Sequence, residues 1–342
     1  MKFGPVPLHE AAGLIAAHSV RADEAVLRKG HAISPEIVDR LEAAGLSEVV
    51  AARLEPGDLG EDEAASRLAH DLAGAGVDAG QPFTGRCNLY AAQAGVLRVA
   101  RDGIDAANAV DEAITVATLP PFRPVAAGEM VATVKIIPYA VPGALLDRAR
   151  AAAASARIDV APYRLARIGV VSTLLPGLKP STVDKTLRIL AQRLAPTGAG
   201  IVAERRVPHA AAAVAASLAE LIDREGADLA VIFGASAIAD RRDVIPAGIE
   251  AAGGRVDHLG MPVDPGNLLL VGARGDVPVI GAPGCARSPK ENGFDWVLHR
   301  LLAGLAVTRA DIVAFGVGGL LTEIVLRPQP RGGGASAEEE DG

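Results

Sequence analysis

ARIGVVST (166–173) is a short, nearly continuous β-branched run, and STVDKTLRILAQRLA (181–195), which follows it, carries apolar residues at helical spacing. The pairing then repeats. GIVAERRV (200–207) is extended, and HAAAAVAASLAELIDREG (209–226) is helical up to its closing glycine. DLAVIFG (228–234) is a second buried-strand run, DVIPAGIEAAGG (243–254) a further helix, and RVDHLG (255–260) is extended again. Strands alternating with helices predict a three-layer α/β/α domain around a mostly parallel sheet, with right-handed crossovers. LLLVGA (268–273) and VPVIG (277–281), separated by Arg274-Gly-Asp276, predict a hairpin or paired strands, and PKENGFDWVLHRLLAG (289–304) predicts the last long helix.

Upstream the texture differs. PEIVDRLEAA (35–44) stops at Gly45, as a helix with its C-terminal glycine does, and SEVVAARL (47–54) reads as extended. GEDEAASRLAHDLAG (60–74) opens with acids, which suit the positive end of a helix dipole. Between Arg86 and Val141 the chain is β-rich, with Asp102-Gly103 and Pro120-Pro121 as punctuation. RARAAAASAR (148–157) predicts a helix, and Val160-Ala-Pro-Tyr163 a crossover into the second domain. The expected organisation is an N-terminal mixed α+β domain over 1–150, in one piece or two small subdomains. An α/β domain over 160–330 follows, then an unfolded Gly-rich, acidic tail over 331–342.

The chain has 342 residues, half of them hydrophobic but only 3% aromatic, so its core is built mainly of Ala, Val, Leu and Ile. The 41 acidic against 34 basic side chains, net −7, argue against nucleic acid or an anionic membrane as a partner, though not against a local anion site. Cys87 and Cys285 stand far apart, so neither a disulfide framework nor a thiolate metal cluster is expected. His209, His258 and His299 lack metal-ligand spacing. The start carries one Lys and is soon interrupted by His9 and Glu10, which is not a secretory signal, and no apolar run reaches the roughly 18–20 residues of a membrane span. A cytoplasmic location is expected.

In an open α/β sheet, ligands bind beyond the carboxyl ends of the strands. Four loops qualify. After 166–173, Lys179 stands just before a helix on which Ser181 and Asp184 read as a capping box. After 228–234, Gly234 and Ala235 admit a ligand near the backbone, Ser236 offers a hydroxyl, and Asp240 and Asp243 flank two arginines; an acid there also serves as a helix cap. In Gly260-Met-Pro-Val-Asp-Pro-Gly-Asn267, prolines fix the backbone around Asp264, and Gly266 and Asn267 complete a rigid turn. In the fourth loop, Gly284 precedes Ser288, Pro289 and Glu291, which read as N-cap, first helical residue and capping-box partner. With Arg287 and Lys290 alongside, that helix start reads either as a phosphate site or as a well-capped helix with two solvated cations.

Taken in order, these loops resemble the molybdopterin-binding superfamily of molybdopterin adenylyltransferases and molybdotransferases. The likeness runs from about Ala166 to Arg331: GASAIADRRDVIP (234–246) is similar to the family's Gly-rich loop, GMPVDPGN (260–267) to its Pro-Gly turn, and Pro283-Gly284 to its Leu-Pro-Gly-Asn-Pro loop. GCARSPKENGFDWVLHRLLAG (284–304) and GVGGLLTEI (316–324) look like a subgroup often fused to a molybdenum cofactor cytidylyltransferase-type domain. VPLHEAAGLIAAHSV (6–20), LRKGHAIS (27–34), ARLEPGDLGEDEAA (52–65) and VATVKIIPYAV (131–141) look like that subgroup's leading domain.

The departures are specific. Gly234-Ala235 followed by Ser236 stands where the enzymes carry Gly-Gly, and Thr173 is followed by Leu-Leu-Pro where they read Thr-Gly-Asp-Glu. No acid stands at Val207-Pro-His-Ala210, so only Asp243 matches the family's pair of acids. The resemblance therefore implies a protein that binds molybdopterin or the molybdenum cofactor, in its synthesis or handling. Gly234, Ser236, Asp240, Asp264, Gly266, Asn267, Gly284, Arg287, Ser288 and Lys290 would contact the pterin and its phosphate. The alternatives are an active molybdotransferase, with Asp243 catalytic and, with Asp240, holding Mg²⁺, or a nucleotide pyrophosphatase-like hydrolase. A homo-oligomer is implied, with a nucleotidyltransferase or an apo-molybdoenzyme as partner.

Overall fold

The run at 166–173 forms the strand β1 (Arg167–Leu174), in which six successive residues are buried, Ile168 to Thr173. A strand buried on both faces needs a layer on each side, and the alternation of its side chains supplies the two contacts. The computed structural model describes residues 1–22 and 25–321. They divide into two compact units: Met1–Ala166 with Gln192–Gly200 and Leu298–Ala306, and Arg167–Ala191 with Ile201–Val297 and the chain from Val307 onward.

From Arg167 onward, β1 is followed by α1 (Pro180–Leu194), β2 (Gly200–Pro208), α2 (Ala211–Asp223), β3 (Leu229–Phe233) and α3 (Val244–Ala251). Then come β4 (Arg255–Leu259), β5 (Leu270–Arg274), β6 (Val277–Ala282), α4 (Gly293–Leu302) and α5 (Arg309–Ala314). The six-stranded sheet has the order β2-β1-β3-β6-β5-β4. β1, β3 and β6 pair in parallel, with Ile168 opposite Leu229 and Ala230 opposite Val279. β5 pairs antiparallel with β6 as the expected hairpin, and β4 adds antiparallel to β5. Val171, Ala230, Ile232 and Val279 pack on Val214, Leu218 and Leu221 of α2 and on Ile245 and Ile249 of α3. Phe233 faces the other way, 6.5 Å ring to ring from Phe294 of α4. The architecture is thus α/β/α, and the carboxyl ends of its three parallel strands open onto the loops after Leu174, Phe233 and Ala282.

The first unit is mixed α+β. Lys2–Pro7, Glu48–Arg53 and Ile15–Ala16 make a small antiparallel sheet, whose core joins Leu8, Ile33 and Val49 to Val38 and Leu41 of the helix Pro35–Ala43. A four-stranded sheet follows, in the order Ile114–Thr118, Met130–Ile136, Arg86–Ala91, Val77–Ala79, sharing a core with Leu68 and Leu72 of the helix Glu61–Leu72. Two expectations are corrected. Asp102-Gly103 is not a break but lies in the helix Arg101–Asn108, where Gly103 lets Ala156 approach so closely that a Cβ would stand 2.6–2.8 Å from it. The crossover at Val160–Tyr163 is instead the strand Ile158–Pro162, antiparallel to Gly95–Val99. No helix among the described residues is long and apolar enough to cross a membrane. The tail 331–342 and the motif end at 322–324 lie outside the described residues.

Candidate functional site

The last long helix begins later than its sequence signals predict. Gly284–Arg287 form a short 3-10 turn, and Ser288 caps its end, donating its N–H to the Cys285 carbonyl. α4 starts at Gly293, with buried Asn292 in the cap position: its Oδ1 accepts the Phe294 N–H at 3.1 Å, and its own N–H donates to Asp295 Oδ2 at 2.9 Å. Asn292 Nδ2 donates to the carbonyls of Lys290 and Cys285. The Gly293 N–H donates to the Pro265 carbonyl, and the Asp295 N–H to the Asn292 carbonyl. The Gly293, Phe294 and Asp295 amides are spent inside the protein. The helix start expected at Ser288–Lys290 is therefore corrected to Gly293: Glu291 accepts the Trp296 indole N–H at 2.9 Å, and the Ser288 hydroxyl accepts the Lys290 N–H. Lys290 itself is exposed.

Two neighbours explain why the helix waits for Gly293. Gly266 of the Pro-Gly turn has φ +145°, and a Cβ there would lie 2.9 Å from the Gly293 N and Cα atoms. A Cβ on Gly293 would lie 2.8 Å from the Met261 sulfur. Only glycines at both places allow this approach. The turn is structural in its other members too: Asp264 exchanges backbone hydrogen bonds with Gly319 and Leu321, and exposed Asn267 accepts the Met261 N–H through its carbonyl.

The second loop is closed by Asp243, whose Oδ1 accepts the Val244 N–H at 2.7 Å and whose Oδ2 accepts the Ala239 N–H at 3.2 Å. It is the N-cap of α3. Asp240 pairs with Arg242, at 2.7 Å to Nε, and the guanidinium holds its carboxyl down at about 2. Mg²⁺ does not fit this donor set. Both Asp243 oxygens are committed to amides, Asp240 to a guanidinium, and no metal-sized group of His, Cys, Asp and Glu occurs among the described residues. Gly234 is required by the loop, since a Cβ would sit 2.6 Å from the Ser236 carbonyl oxygen, while the Ser236 side chain is exposed. In the first loop, α1 starts at Pro180 rather than behind a Ser181 cap, and Asp184 is drawn off by Arg206 at 2.6 Å.

What the strand ends do assemble is a cluster around Arg287. Its guanidinium donates to Thr186 Oγ1 of α1 at 2.8 Å and to the Gly234 carbonyl at the end of β3 at 2.9 Å, and lies 5.4 Å over the Phe233 ring. Thr186 is buried and donates its own proton to the Thr182 carbonyl, which leaves it as an acceptor for the guanidinium. All of these acceptors are neutral; no carboxylate pairs with Arg287 among the described residues, and burial alone pushes its pKa down. Ser172 sits opposite Phe233 in the parallel register and so on the same face of the sheet. Ser172 is 2% exposed, and its hydroxyl has no hydrogen-bond partner among the described residues. On the other face, Thr173 Oγ1 lies 2.8 Å from His209 Nδ1 and accepts the Ala235 N–H at 2.8 Å.

A half-buried guanidinium with donors to spare is complementary to an oxyanion. Arg287 and the loop glycines were legible in the sequence. Ser172, Thr173, Thr186 and His209 were not singled out as site residues; adjacent hydroxyls closing an otherwise β-branched strand were the available signal. The concavity of the first unit, along Glu63, Arg67, His70, Asp71 and Arg150, is charge-balanced by its own ion pairs.

Against known proteins, a family model described as a domain of unknown function (DUF8806) matches residues 5–53. No curated protein matches the chain. Among solved structures, the molybdopterin biosynthesis enzyme MoaB of Thermus thermophilus is similar at 20% identity and a TM-score of 0.30, over 41% of this chain and 98% of its own. The molybdopterin biosynthesis protein MoeA of Pyrococcus horikoshii is similar at 15% identity and a TM-score of 0.32, over 89% of this chain and 75% of its own. At such values neither likeness bears on this chain's activity.

Proposed function

We propose that this chain binds molybdopterin or the molybdenum cofactor, acting in its synthesis or handling, with the pterin's phosphate on the Arg287 guanidinium. The observation that carries the reading is the charge state of the strand-end cluster. Arg287 is held by neutral acceptors and largely stripped of water without a carboxylate to balance it. A desolvated cation of this kind is costly alone and is offset by a charge-assisted, bidentate contact to an oxyanion. The loops at Ser236–Asp243 and Asp264–Asn267 are those whose sequences carry the pterin-contact resemblance, and that resemblance spans nearly the whole chain. Because Asp240 and Asp243 are committed within their loop, binding without metal-assisted transfer is the better supported activity.

The test is a binding assay with purified molybdopterin, together with mass spectrometry of whatever co-purifies from a molybdenum-using host. The proposal expects a pterin in the purified protein and an affinity lowered at least tenfold, on the order of 1.4 kcal/mol, by Arg287→Ala. Unaltered affinity in Arg287→Ala would remove the site assignment, and the absence of any pterin binding would remove the function.

A further inference from the structure

The peptide group between Gly234 and Ala235 is held from both sides. Its carbonyl accepts from Arg287, at 2.9 Å, and its N–H donates to Thr173 Oγ1, at 2.8 Å. Thr173 in turn meets His209 Nδ1 at 2.8 Å, and Arg287 also donates to Thr186. One unbroken chain of hydrogen bonds therefore runs His209, Thr173, the 234–235 peptide, Arg287, Thr186, around the carboxyl end of β3 from one face of the sheet to the other. A peptide is planar and rigid, so a rotation that frees its N–H also swings its carbonyl. Thr173 is 1% exposed, and water does not readily replace either partner. His209 is itself anchored, its backbone N–H donating to the Leu174 carbonyl at 2.9 Å.

We propose that His209 is a positioning residue which, through Thr173, fixes the 234–235 peptide and thereby the aim of the Arg287 guanidinium. Its consequence for anion affinity rests on the site proposed above; its consequence for the peptide does not. The imidazole touches no ligand in this scheme. It holds the Thr173 hydroxyl in the one rotamer that accepts from Ala235, and the peptide does the rest.

The test combines amide hydrogen exchange at Ala235, measured without ligand, with titration by inorganic phosphate. His209→Ala and Thr173→Val are expected to speed Ala235 exchange about tenfold or more, the loss of roughly one buried hydrogen bond, and to weaken phosphate binding about threefold or more. Thr173→Ser keeps the hydroxyl, and His209→Asn keeps a polar atom near the Nδ1 position, so both are expected to restore exchange and affinity. His209→Gln, whose amide reaches the Nε2 position instead, is not. Unchanged Ala235 exchange in His209→Ala, or equal protection by Asn and Gln, overturns the proposal. Should His209→Ala fail to fold, the comparison of Asn with Gln decides it alone. Phosphate binding that ignores Arg287→Ala would instead count against the anion site, while Ala235 exchange still judges His209.

Discussion

Arg287 keeps its charge unbalanced by any carboxylate among the described residues. The whole chain is acidic, at net −7, yet this guanidinium is seated on a threonine hydroxyl, a carbonyl and a phenyl ring. Lysine in its place keeps the charge but loses the planar fork and the stacking. Arg287→Lys is therefore expected to weaken molybdopterin binding at least about fivefold in a calorimetric titration, and equal affinity would show that charge alone suffices. Ser172 gives the complementary case. Its hydroxyl is buried with no partner among the described residues, so Ser172→Ala is expected to leave unfolding free energy within about 0.5 kcal/mol of the parent, or to raise it. A large loss of stability in a denaturant melt would mean that the hydroxyl is satisfied after all.

At the scale of elements, the start of α4 separates local from tertiary signals. Ser288-Pro-Lys-Glu291 carries every local mark of a helix start, and Asn292-Gly-Phe-Asp295 carries the same capping pattern in less conspicuous form. The second wins because Gly293 alone tolerates the backbone of Gly266 and the sulfur of Met261, contacts that no local rule contains. Asn292→Ala is expected to cost about 2 kcal/mol in chemical denaturation, since it removes the buried acceptor of the Phe294 N–H and two side-chain hydrogen bonds to the Lys290 and Cys285 carbonyls, and Ser288→Ala less than about 0.5 kcal/mol. The reverse order would restore the earlier helix start. The strands of the second unit were legible because burial on both faces writes an apolar run into each one. The strand Ile158–Pro162 was not, because its partner Gly95–Val99 lies far upstream and its own residues alternate weakly. The strand-end cluster was half legible: Arg287 announces itself, whereas Thr186 is one buried position on a helix and acquires its meaning from a residue a hundred positions away.

At the scale of the molecule, a core built of small aliphatic residues leaves few aromatic groups, and each becomes a usable reporter. Tyr163 is one: burial raises its phenol to about 12, and its hydroxyl lies 2.8 Å from His299 Nδ1. A phenol raised on folding binds its proton more tightly in the native state, so its contribution is fully present below pH 10 and is lost as pH climbs toward about 12. Stability measured by denaturant melts across that window is expected to fall, and Tyr163→Phe to fall less steeply; parallel slopes would place the loss elsewhere. Trp296 is the chain's single tryptophan, and its indole is bonded to Glu291 at the end of the loop that carries Arg287. Its emission therefore follows that loop directly. The most direct test of the account compares molybdopterin with its dephosphorylated form, titrated against Trp296 fluorescence in the parent and in Arg287→Ala. The parent should prefer the phosphorylated pterin at least about tenfold and the variant should show nearly none of that preference. An undiminished preference in Arg287→Ala would contradict the assignment of the phosphate to this guanidinium.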